Sequence, residues 1–262
     1  SLEKNLERAT KVAEEQGGGI LVITEGVFGM RGMQGKIKEI CELKSKFNFR
    51  LLVDDAHGFG TLGKTGAGAG EEQGCQDQID VYFSTFAKSM AGFGAFIAGD
   101  ADIIRILKYN LRSQVFAKSL TMPMVIGGLK RLELLRSRPE IKAKLWENVN
   151  KLQNGLIERG FNIGGTDTCV TPVMMQGSTV EATLLVKDLR ENYGIFTSVV
   201  IYPVIPKGMI LLRLIPTASH TDAEINETLD AFDAIHDKLT SGFYKEQEQK
   251  LLEEKGLSFK ST

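Results

Sequence analysis

Two apolar runs each end in side chains that could do chemistry together. Asp54 and His57 follow the run at residues 49–53, while Thr85 ends the run at residues 79–85 and Lys88 comes three residues later. A lysine amine can form a Schiff base with an aldehyde, and an aspartate can keep a ring nitrogen protonated so that the ring accepts electrons. An aspartate and a lysine at neighbouring strand ends would therefore suit a pyridoxal phosphate site.

A second pattern overlaps the first and indicates different chemistry. Gly58, Gly63, Lys64 and Thr65 spell G-x-x-x-x-G-K-T, the phosphate-binding P-loop of nucleotide triphosphatases. A P-loop needs its Lys-Thr pair to open a helix, whose amides and dipole hold the phosphates. Residues 66–78 are rich in glycine and polar side chains and lack helical periodicity, so we expect this motif not to act as a P-loop.

The spacing of apolar residues predicts helices and strands that alternate over the first hundred residues. We expect helices at residues 2–15 and 36–46 and strands at residues 20–26, 49–53, 79–85 and 94–100. Such alternation is typical of an α/β fold with a mostly parallel sheet. Open sheets of this kind bind ligands at the carboxyl ends of their strands, where Glu25, Asp54 and Thr85 fall.

The sequence changes character in its later part. Helices are predicted at residues 100–111, 122–135 and 139–159, and a compact α+β arrangement of strands and helices follows them. We therefore predict a large α/β domain with connecting helices at residues 1–148, a smaller α+β domain at residues 149–245 and a charged tail at residues 246–262. The tail is expected to be a partly helical end with a solvated surface.

Composition excludes several classes of function. The formal net charge of −1, without a long basic block, argues against nucleic acid as a partner. No apolar run approaches the roughly 20 residues that cross a bilayer, and the charged first residues are unlike a signal peptide, so the cytoplasm is the predicted location. The three cysteines and three histidines are too scattered to predict a metal site.

Four motifs, in this order along the chain, carry a resemblance to a known family. They are ITEGVFGM, VDDAHGFGTLG, TFAKS followed by GFGAF, and LLRLIPTASHT. Together they resemble the α-oxoamine synthases, fold-type I pyridoxal phosphate enzymes of the aspartate aminotransferase-like fold, which condense an amino acid with an acyl-CoA and release carbon dioxide. The wording is most similar to bacterial serine palmitoyltransferases, with 8-amino-7-oxononanoate synthase and glycine C-acetyltransferase close behind. The resemblance implies serine and palmitoyl-CoA as first-choice substrates, in an early step of sphingolipid synthesis.

The resemblance also implies roles for the residues at the strand ends. Asp54 matches the aspartate on the pyridine nitrogen of the cofactor, and His57 matches the histidine that hydrogen-bonds its phenolic oxygen. Lys88 matches the Schiff-base lysine, and Thr85 matches the hydroxyl that binds the phosphate. Structural alternatives remain, because His57 could simply cap its turn.

Further residues match positions outside that cluster. Arg213 matches the arginine that holds a substrate carboxylate, although an internal carboxylate could also be its partner. Lys118 and Ser119 fall where members of the family reach the partner's phosphate in a homodimer with a shared active site. We interpret Glu25 as a structural hydrogen-bond acceptor and Asp55 as a support residue.

The chain also departs from the family pattern. Gly29 stands where members usually have a serine, and Arg31 and Met33 stand where they usually have acidic residues. Members carry an upstream segment with a histidine that stacks on the cofactor ring, so we expect this chain to be an incomplete large domain and an inactive fragment by itself. A non-catalytic scaffold subunit is an alternative, but Lys88 argues against it because such a subunit has no chemical need for that amine.

Overall fold

The computed structural model of the protein describes residues 1–254. These residues form two compact units: unit 1 comprises residues 1–29 and 33–142, and unit 2 comprises residues 30–32 and 143–254. The division after Lys142 falls inside a long helix, as does the predicted boundary near Asn148.

Unit 1 is built on a four-stranded sheet and surrounding helices. In chain order its elements are α1 Leu2–Gln16, β1 Leu21–Glu25, β2 Val27–Phe28, β3 Met33–Gln34, α2 Ile37–Glu42, β4 Arg50–Asp54, α3 Ala69–Glu72, β5 Val81–Thr85, β6 Ala95–Gly99, α4 Ala101–Asn110, α5 Arg112–Phe116, α6 Met122–Ser137 and the start of α7 Pro139–Glu158. The two short strands β2 and β3 form an antiparallel hairpin.

The sheet of unit 1 has the strand order β1-β4-β5-β6. Strands β1, β4 and β5 run parallel, whereas β6 pairs with β5 in the antiparallel sense. Leu51 and Val53 of β4 are completely buried, as expected for a central strand covered on its faces. The predicted α/β class with a mostly parallel sheet is therefore confirmed, and the four predicted strands match the observed ones to within two residues at each end.

Unit 2 packs a three-stranded antiparallel sheet against helices. Its elements are the rest of α7, β7 Thr171–Gln176, α8 Thr179–Tyr193, β8 Ser198–Val200, β9 Met209–Leu214, α9 Asp222–Thr240 and α10 Phe243–Glu254, with the strand order β7-β9-β8. Capping boxes fix the starts of two helices: Ser178 with Glu181 opens α8, and Thr221 with Glu224 opens α9. The α+β organisation predicted for this part of the chain is observed.

A large cluster of aliphatic and aromatic side chains fills much of the core of unit 2, beside smaller clusters. Leu156, Leu185, Leu212 and Phe232 are among its members and are fully buried. They come from α7, α8, β9 and α9, so each of these helices and the sheet contributes an apolar face to the same interior.

The described part of the predicted tail is helical, as expected, and most of its residues are exposed or half-buried. Residues 243–254 form α10, in which Tyr244 is 1% and Glu248 4% exposed. The Ser178 hydroxyl donates a hydrogen bond to Oε1 of Glu248 at 2.8 Å, at the amino terminus of α8, where a carboxylate is favoured by the helix dipole. The prediction of a solvated surface is wrong for Glu248, because a polar sequence can still bury the face that packs on a core. Residues 255–262 of the predicted tail lie outside the described part of the chain.

Candidate active site

The carboxyl ends of three neighbouring parallel strands form one edge of the unit 1 sheet. Glu25 of β1 lies in register with Asp54 of β4, and Asp54 lies in register with Phe83 of β5. Thr85 ends β5 two residues beyond Phe83. The sequence prediction that polar residues meet at this edge therefore agrees with the strand register.

Asp54 is held in place by the turn that follows β4. Its Oδ1 accepts a hydrogen bond from the Ala56 amide at 3.0 Å, and the next amide, that of Asp55, donates to the Phe83 carbonyl of β5 at 2.8 Å. The Asp55 carbonyl then accepts the Gly58 and Phe59 amides at 3.2 and 3.0 Å. These local bonds fix the turn that carries His57.

Asp55 is the buried support of the same turn. It is completely buried, and its Oδ2 accepts hydrogen bonds from the Ala69 amide at 2.8 Å and the Tyr82 hydroxyl at 2.9 Å. Burial raises the pKa of Asp55 to about 6, against the lowering effect of these hydrogen bonds, and the neighbouring Asp54 charge raises it further.

Three glycines make room for the Asp55 carboxylate. A Cβ on Gly26, Gly58 or Gly68 would lie 2.0, 2.1 or 1.9 Å from a carboxylate oxygen of Asp55, so a side chain at any of them would displace it. These glycines are separated by up to 42 positions, and no motif in the sequence links them to one another. The sequence identified Asp55 as a support residue but did not find the glycines that enclose it.

His57 packs against Gly29, the position where the resemblance leads us to expect a serine. A Cβ on Gly29 would lie 2.2 Å from Nε2 of His57 and 2.6 Å from its Cδ2. The imidazole therefore occupies space that any other residue at position 29 would fill. The absence of a side chain at Gly29, where the family pattern has a serine, therefore makes room for the imidazole of His57.

Thr85 and Lys88 lie in the turn between β5 and β6. The Thr85 hydroxyl donates to the Gly94 carbonyl at 3.0 Å and accepts the Ala87 amide at 3.1 Å. Lys88 is exposed, and its carbonyl accepts the Ala91 amide at 2.9 Å, which closes the turn around it. The amine is thus presented from a hydrogen-bonded turn directly after the strand next to Asp54.

Lys118 and Ser119 lie between α5 and α6 in an exposed segment of unit 1. Lys118 has a φ of 68°, an uncommon value for a residue with a side chain. The adjacent Leu120 packs against Gly94, where a Cβ would lie 2.7 Å from its Cδ2, and Gly94 is the residue whose carbonyl accepts the Thr85 hydroxyl. The segment therefore reaches the same end of the sheet as Thr85.

The glycine-rich P-loop pattern does not open a helix. The nearest helix, α3, begins at Ala69 and has only four residues. The Thr65 amide donates to Oε1 and Oε2 of Glu71 at 3.1 and 3.0 Å, the Ala67 amide donates to Oε2 of Glu71 at 3.0 Å, and the Gly63 amide donates to Oε2 of Glu72 at 2.8 Å. Carboxylates of the chain itself thus take the amides that a P-loop would direct at phosphate, and the prediction that Lys64 and Thr65 do not open a helix is confirmed.

Arg213 belongs to unit 2, whereas the other predicted site residues belong to unit 1. It lies in the central strand β9, in register with Pro172 of β7 and Ser198 of β8. Its Nη1 lies 3.9 Å from the sulfur of Met30, a residue of the β2–β3 connection that also belongs to unit 2.

The unit 1 residues fit pyridoxal phosphate. A carboxylate for the ring nitrogen, an imidazole, a lysine amine on an exposed turn and a hydroxyl with a nearby amide for a phosphate all follow β4 and β5. This donor set, with the space that Gly29 leaves beside His57, is the arrangement expected for that cofactor and for its class of transferases.

The sequence pattern of aminotransferase class I and II matches residues 4–232. The chain therefore belongs to this family, and the predicted fold, that of the pyridoxal-phosphate-dependent transferases, is confirmed.

Particular relatives narrow the class. The chain is 67% identical over 256 residues to a cysteate-C-fatty acyltransferase of Capnocytophaga ochracea, covering 98% of this chain and 61% of that protein. It is 36% identical over 210 residues to a serine palmitoyltransferase of Sphingobacterium spiritivorum, covering 80% of this chain and 52% of that protein. A solved serine palmitoyltransferase with its pyridoxal phosphate internal aldimine is 30% identical, with a TM-score of 0.78 over 83% of this chain and 55% of that one.

These relatives confirm the predicted resemblance to the α-oxoamine synthases. The chain spans between about half and three-fifths of their length. No helix among residues 1–254 combines the length and the apolar character that a membrane span requires.

Proposed function

We propose that this chain carries the cofactor-binding lysine, Lys88, of a pyridoxal-phosphate-dependent C-acyltransferase. The observation that supports this most is the register of the sheet, which sets Asp54 at the end of β4 beside the strand that leads into Thr85 and Lys88. A scaffold subunit would need neither the amine nor an aspartate at the adjacent strand end. The chain spans about half to three-fifths of the relatives it matches, so the activity is proposed for a protein of their full length that contains this chain.

Each of these side chains has a role in holding the cofactor. The Asp54 carboxylate would accept a hydrogen bond from the protonated ring nitrogen, and His57 would donate one to the phenolic oxygen. The Thr85 hydroxyl and the Ala87 amide, which bond to each other at 3.1 Å, would exchange their present hydrogen bonds for bonds to the cofactor phosphate. Lys88 anchors the aldehyde carbon through its amine.

The chemistry is a decarboxylative condensation. When bound, pyridoxal phosphate supplies an electron sink for negative charge that develops at the substrate Cα. The Lys88 amine would remove the Cα proton once the amino acid is bound. A bond between Cα and the thioester carbonyl carbon would then form as the carbon–sulfur bond breaks and the coenzyme A thiolate leaves. Loss of the carboxylate as carbon dioxide would leave its bonding electron pair at Cα, and return of the proton from the Lys88 ammonium group to Cα would give the aminoketone. Arg213 holds the carboxylate through its planar guanidinium.

Cysteate is the first candidate for the amino acid and a fatty acyl-CoA for the acyl donor. The support is the 67% identity to a cysteate-C-fatty acyltransferase over almost the whole chain. Serine with palmitoyl-CoA, the pair expected from the motifs, is the second candidate and is supported by the 36% identity to a serine palmitoyltransferase. Serine would lead to a sphingolipid precursor, and cysteate would lead to a sulfonated analogue of it.

The proposed active protein is a homodimer with shared active sites in the cytoplasm. The supporting observation is that Lys118 and Ser119 are exposed next to Leu120, which packs on Gly94 near Thr85. In a dimer, such a segment could reach the cofactor phosphate of the second subunit.

Borohydride reduction after incubation with pyridoxal phosphate, followed by peptide mass mapping, tests the cofactor assignment. It should be run on this chain and on the longer natural protein, with Lys88→Ala and the matched control Lys64→Ala. We expect a pyridoxyl adduct confined to Lys88, retained in the Lys64→Ala variant. An adduct on another lysine that accompanies turnover in the Lys88→Ala variant would refute the proposal, and magnesium-dependent ATP binding lost in Lys64→Ala would favour the P-loop alternative.

A further inference from the structure

The connection between β2 and β3 carries an arginine into unit 2. Both strands belong to unit 1, but the tip of their hairpin, formed by Met30, Arg31 and Gly32, belongs to unit 2. Unit 2 is also the unit that contains Arg213. The hairpin tip therefore adds a second guanidinium to the unit with the candidate substrate-carboxylate arginine.

The backbone of the hairpin tip is fixed by three donors that converge on one carbonyl. The oxygen of Gly32 accepts hydrogen bonds from the Thr166 and Thr168 hydroxyls at 3.0 and 2.9 Å and from the Asp167 amide at 3.3 Å. Gly32 has a φ of 67°, and a Cβ there would lie 2.2 Å from the Val170 carbonyl oxygen. The residue is thus locked in a conformation that only glycine adopts without strain.

Met30, on the other side of Arg31, contacts Arg213 directly. The sulfur of Met30 lies 3.9 Å from Nη1 of Arg213. Arg31 is therefore anchored on both sides, through Gly32 to the Thr166–Val170 loop and through Met30 to Arg213. Its own side chain is exposed, and it forms no ion pair with any carboxylate among residues 1–254.

Two guanidinium groups near one substrate would match an amino acid that has two anionic groups. Arginine forms bidentate, charge-assisted hydrogen bonds with planar and tetrahedral oxyanions. Cysteate carries a sulfonate in addition to its carboxylate, whereas serine carries an uncharged hydroxyl at the same position. An arginine that follows Met30, the residue in contact with Arg213, would therefore favour cysteate and contribute little to serine binding.

We propose that Arg31 is a specificity residue that recognises the sulfonate of the amino acid while Arg213 holds its carboxylate. This inference rests on the proposed function, since it assigns the amino acid of the same reaction. Any amino acid with a second oxyanion at its β-carbon belongs to the class of ligand that this pair of arginines would accept.

The test compares cysteate and serine in the natural protein that contains this chain, loaded with pyridoxal phosphate. Variants Arg31→Ala and Arg31→Lys are measured beside Lys187→Ala, which removes an exposed positive charge elsewhere in unit 2. Coenzyme A release from palmitoyl-CoA gives kcat and KM. The absorbance change of the bound cofactor on titration with each amino acid gives a dissociation constant that does not depend on turnover.

We expect Arg31→Ala to weaken cysteate binding and to lower kcat/KM for cysteate by about 10- to 100-fold, mainly through KM. The serine values should stay within about threefold, because serine offers no second charge for Arg31 to bind. Arg31→Lys should retain part of the cysteate preference since it keeps the charge but loses the planar fork, and Lys187→Ala should behave as the wild type.

The outcomes separate this inference from the proposed function. If the wild type uses cysteate and Arg31→Ala leaves that activity unchanged, or lowers cysteate and serine equally, Arg31 is not a specificity residue and the inference fails alone. If the wild type uses serine and rejects cysteate, both the inference and the first-choice amino acid fail. If neither amino acid is used although Lys88 carries the cofactor, the acyltransferase proposal fails together with the inference.

Discussion

Each of the two units buries an aspartate, but the groups that stabilise the two carboxylates differ. Asp55 of unit 1 accepts hydrogen bonds from a backbone amide and the neutral Tyr82 hydroxyl, and burial raises its pKa to about 6. Asp188 of unit 2 accepts hydrogen bonds from Lys238 at 2.7 Å, from Asn192 at 2.6 Å and from Tyr244 at 2.5 Å. Burial alone would raise the pKa of Asp188, but these hydrogen bonds hold it below its ordinary value.

The difference shows what each buried carboxylate contributes. Asp188 lies on α8 and is bonded to side chains of α9 and α10, so its compensated charge ties three helices together. Asp55 has no cation among these partners and lies next to Asp54, whose negative charge opposes its ionisation. In unit 1, Asp55 fixes the turn with Asp54 and His57 although the burial of its charge is unfavourable. In unit 2, the buried carboxylate of Asp188 stabilises the packing of the helices.

The largest expected effect is that of replacing Lys88 in unit 1, which should affect the reaction rate and leave the stability of the fold almost unchanged. Lys88→Ala should lower the rate of condensation by about 10³-fold or more, because the variant lacks both the anchor and the proton-transfer amine. Its free energy of unfolding should change by less than about 0.5 kcal/mol, since Lys88 is exposed on a turn. Coenzyme A release and urea unfolding measure the two quantities, with Lys64→Ala as the control. Activity within tenfold of the wild type would remove Lys88 from the mechanism.

The second prediction tests the unfavourable charge of Asp55 through its pH dependence. Its pKa is about 6 in the folded protein and about 3.9 in an unfolded chain, so the folded state binds more protons between those values. The contribution of this group to stability is complete below the unfolded pKa and is lost as the pH rises through the folded pKa. That loss should amount to about 2–3 kcal/mol between about pH 3.5 and 7.

Asp55→Asn removes this titration and keeps a similar shape. Relative to the wild type, the variant should therefore gain about 2–3 kcal/mol in unfolding free energy over the same rise in pH. Urea unfolding at several pH values measures this difference, and Asp77→Asn, an exposed aspartate in the same unit, is the control. A constant difference between Asp55→Asn and the wild type across the pH range would show that Asp55 is not strained by burial.

Local sequence patterns predicted the strand-end residues, but they could not predict what encloses them. Asp54, Thr85 and Lys88 follow apolar runs, and the end of a strand is a property of a few consecutive residues. The enclosure of Asp55 by Gly26, Gly58 and Gly68 depends on which strands are neighbours. The fold determines that arrangement through contacts between residues that lie far apart in sequence.

The same limit explains the other differences between sequence and structure. The carboxylates of Glu71 and Glu72 fill the P-loop-like turn, and a motif match cannot show that. Arg31 was visible in the sequence as a departure from the family pattern, but only the structure shows how its neighbours are fixed, Gly32 by hydrogen bonds to the Thr166–Val170 loop and Met30 by its contact with Arg213.

The third prediction tests whether the packing of His57 against Gly29 is needed for cofactor binding. Gly29→Ala would place a Cβ about where Nε2 of His57 now lies, 2.2 Å away, so the imidazole must move. We expect the dissociation constant of pyridoxal phosphate to rise about tenfold, equivalent to about 1.4 kcal/mol. Absorbance titration with the cofactor measures it. Gly18→Ala is the matched control because a Cβ there meets nothing within 4 Å, and equal affinity in the two variants would mean that the packing of His57 on Gly29 is irrelevant to the cofactor.

The smallest expected effect concerns the compensated carboxylate of unit 2. Tyr244→Phe removes one of the donors to Asp188 and leaves Lys238 and Asn192 in place. The free energy of unfolding should fall by about 1 kcal/mol at neutral pH, because a hydrogen bond to a charged group is lost but the charge keeps its cation. The loss should shrink as the pH falls below the ordinary aspartate pKa, since stability that depends on an ionised carboxylate disappears when the carboxylate is protonated in both states. Cofactor affinity should not change. A Tyr244→Phe variant that weakened pyridoxal phosphate binding as much as Gly29→Ala would show that the Asp188 network also supports the cofactor site, and the contrast between the two carboxylates would then no longer hold.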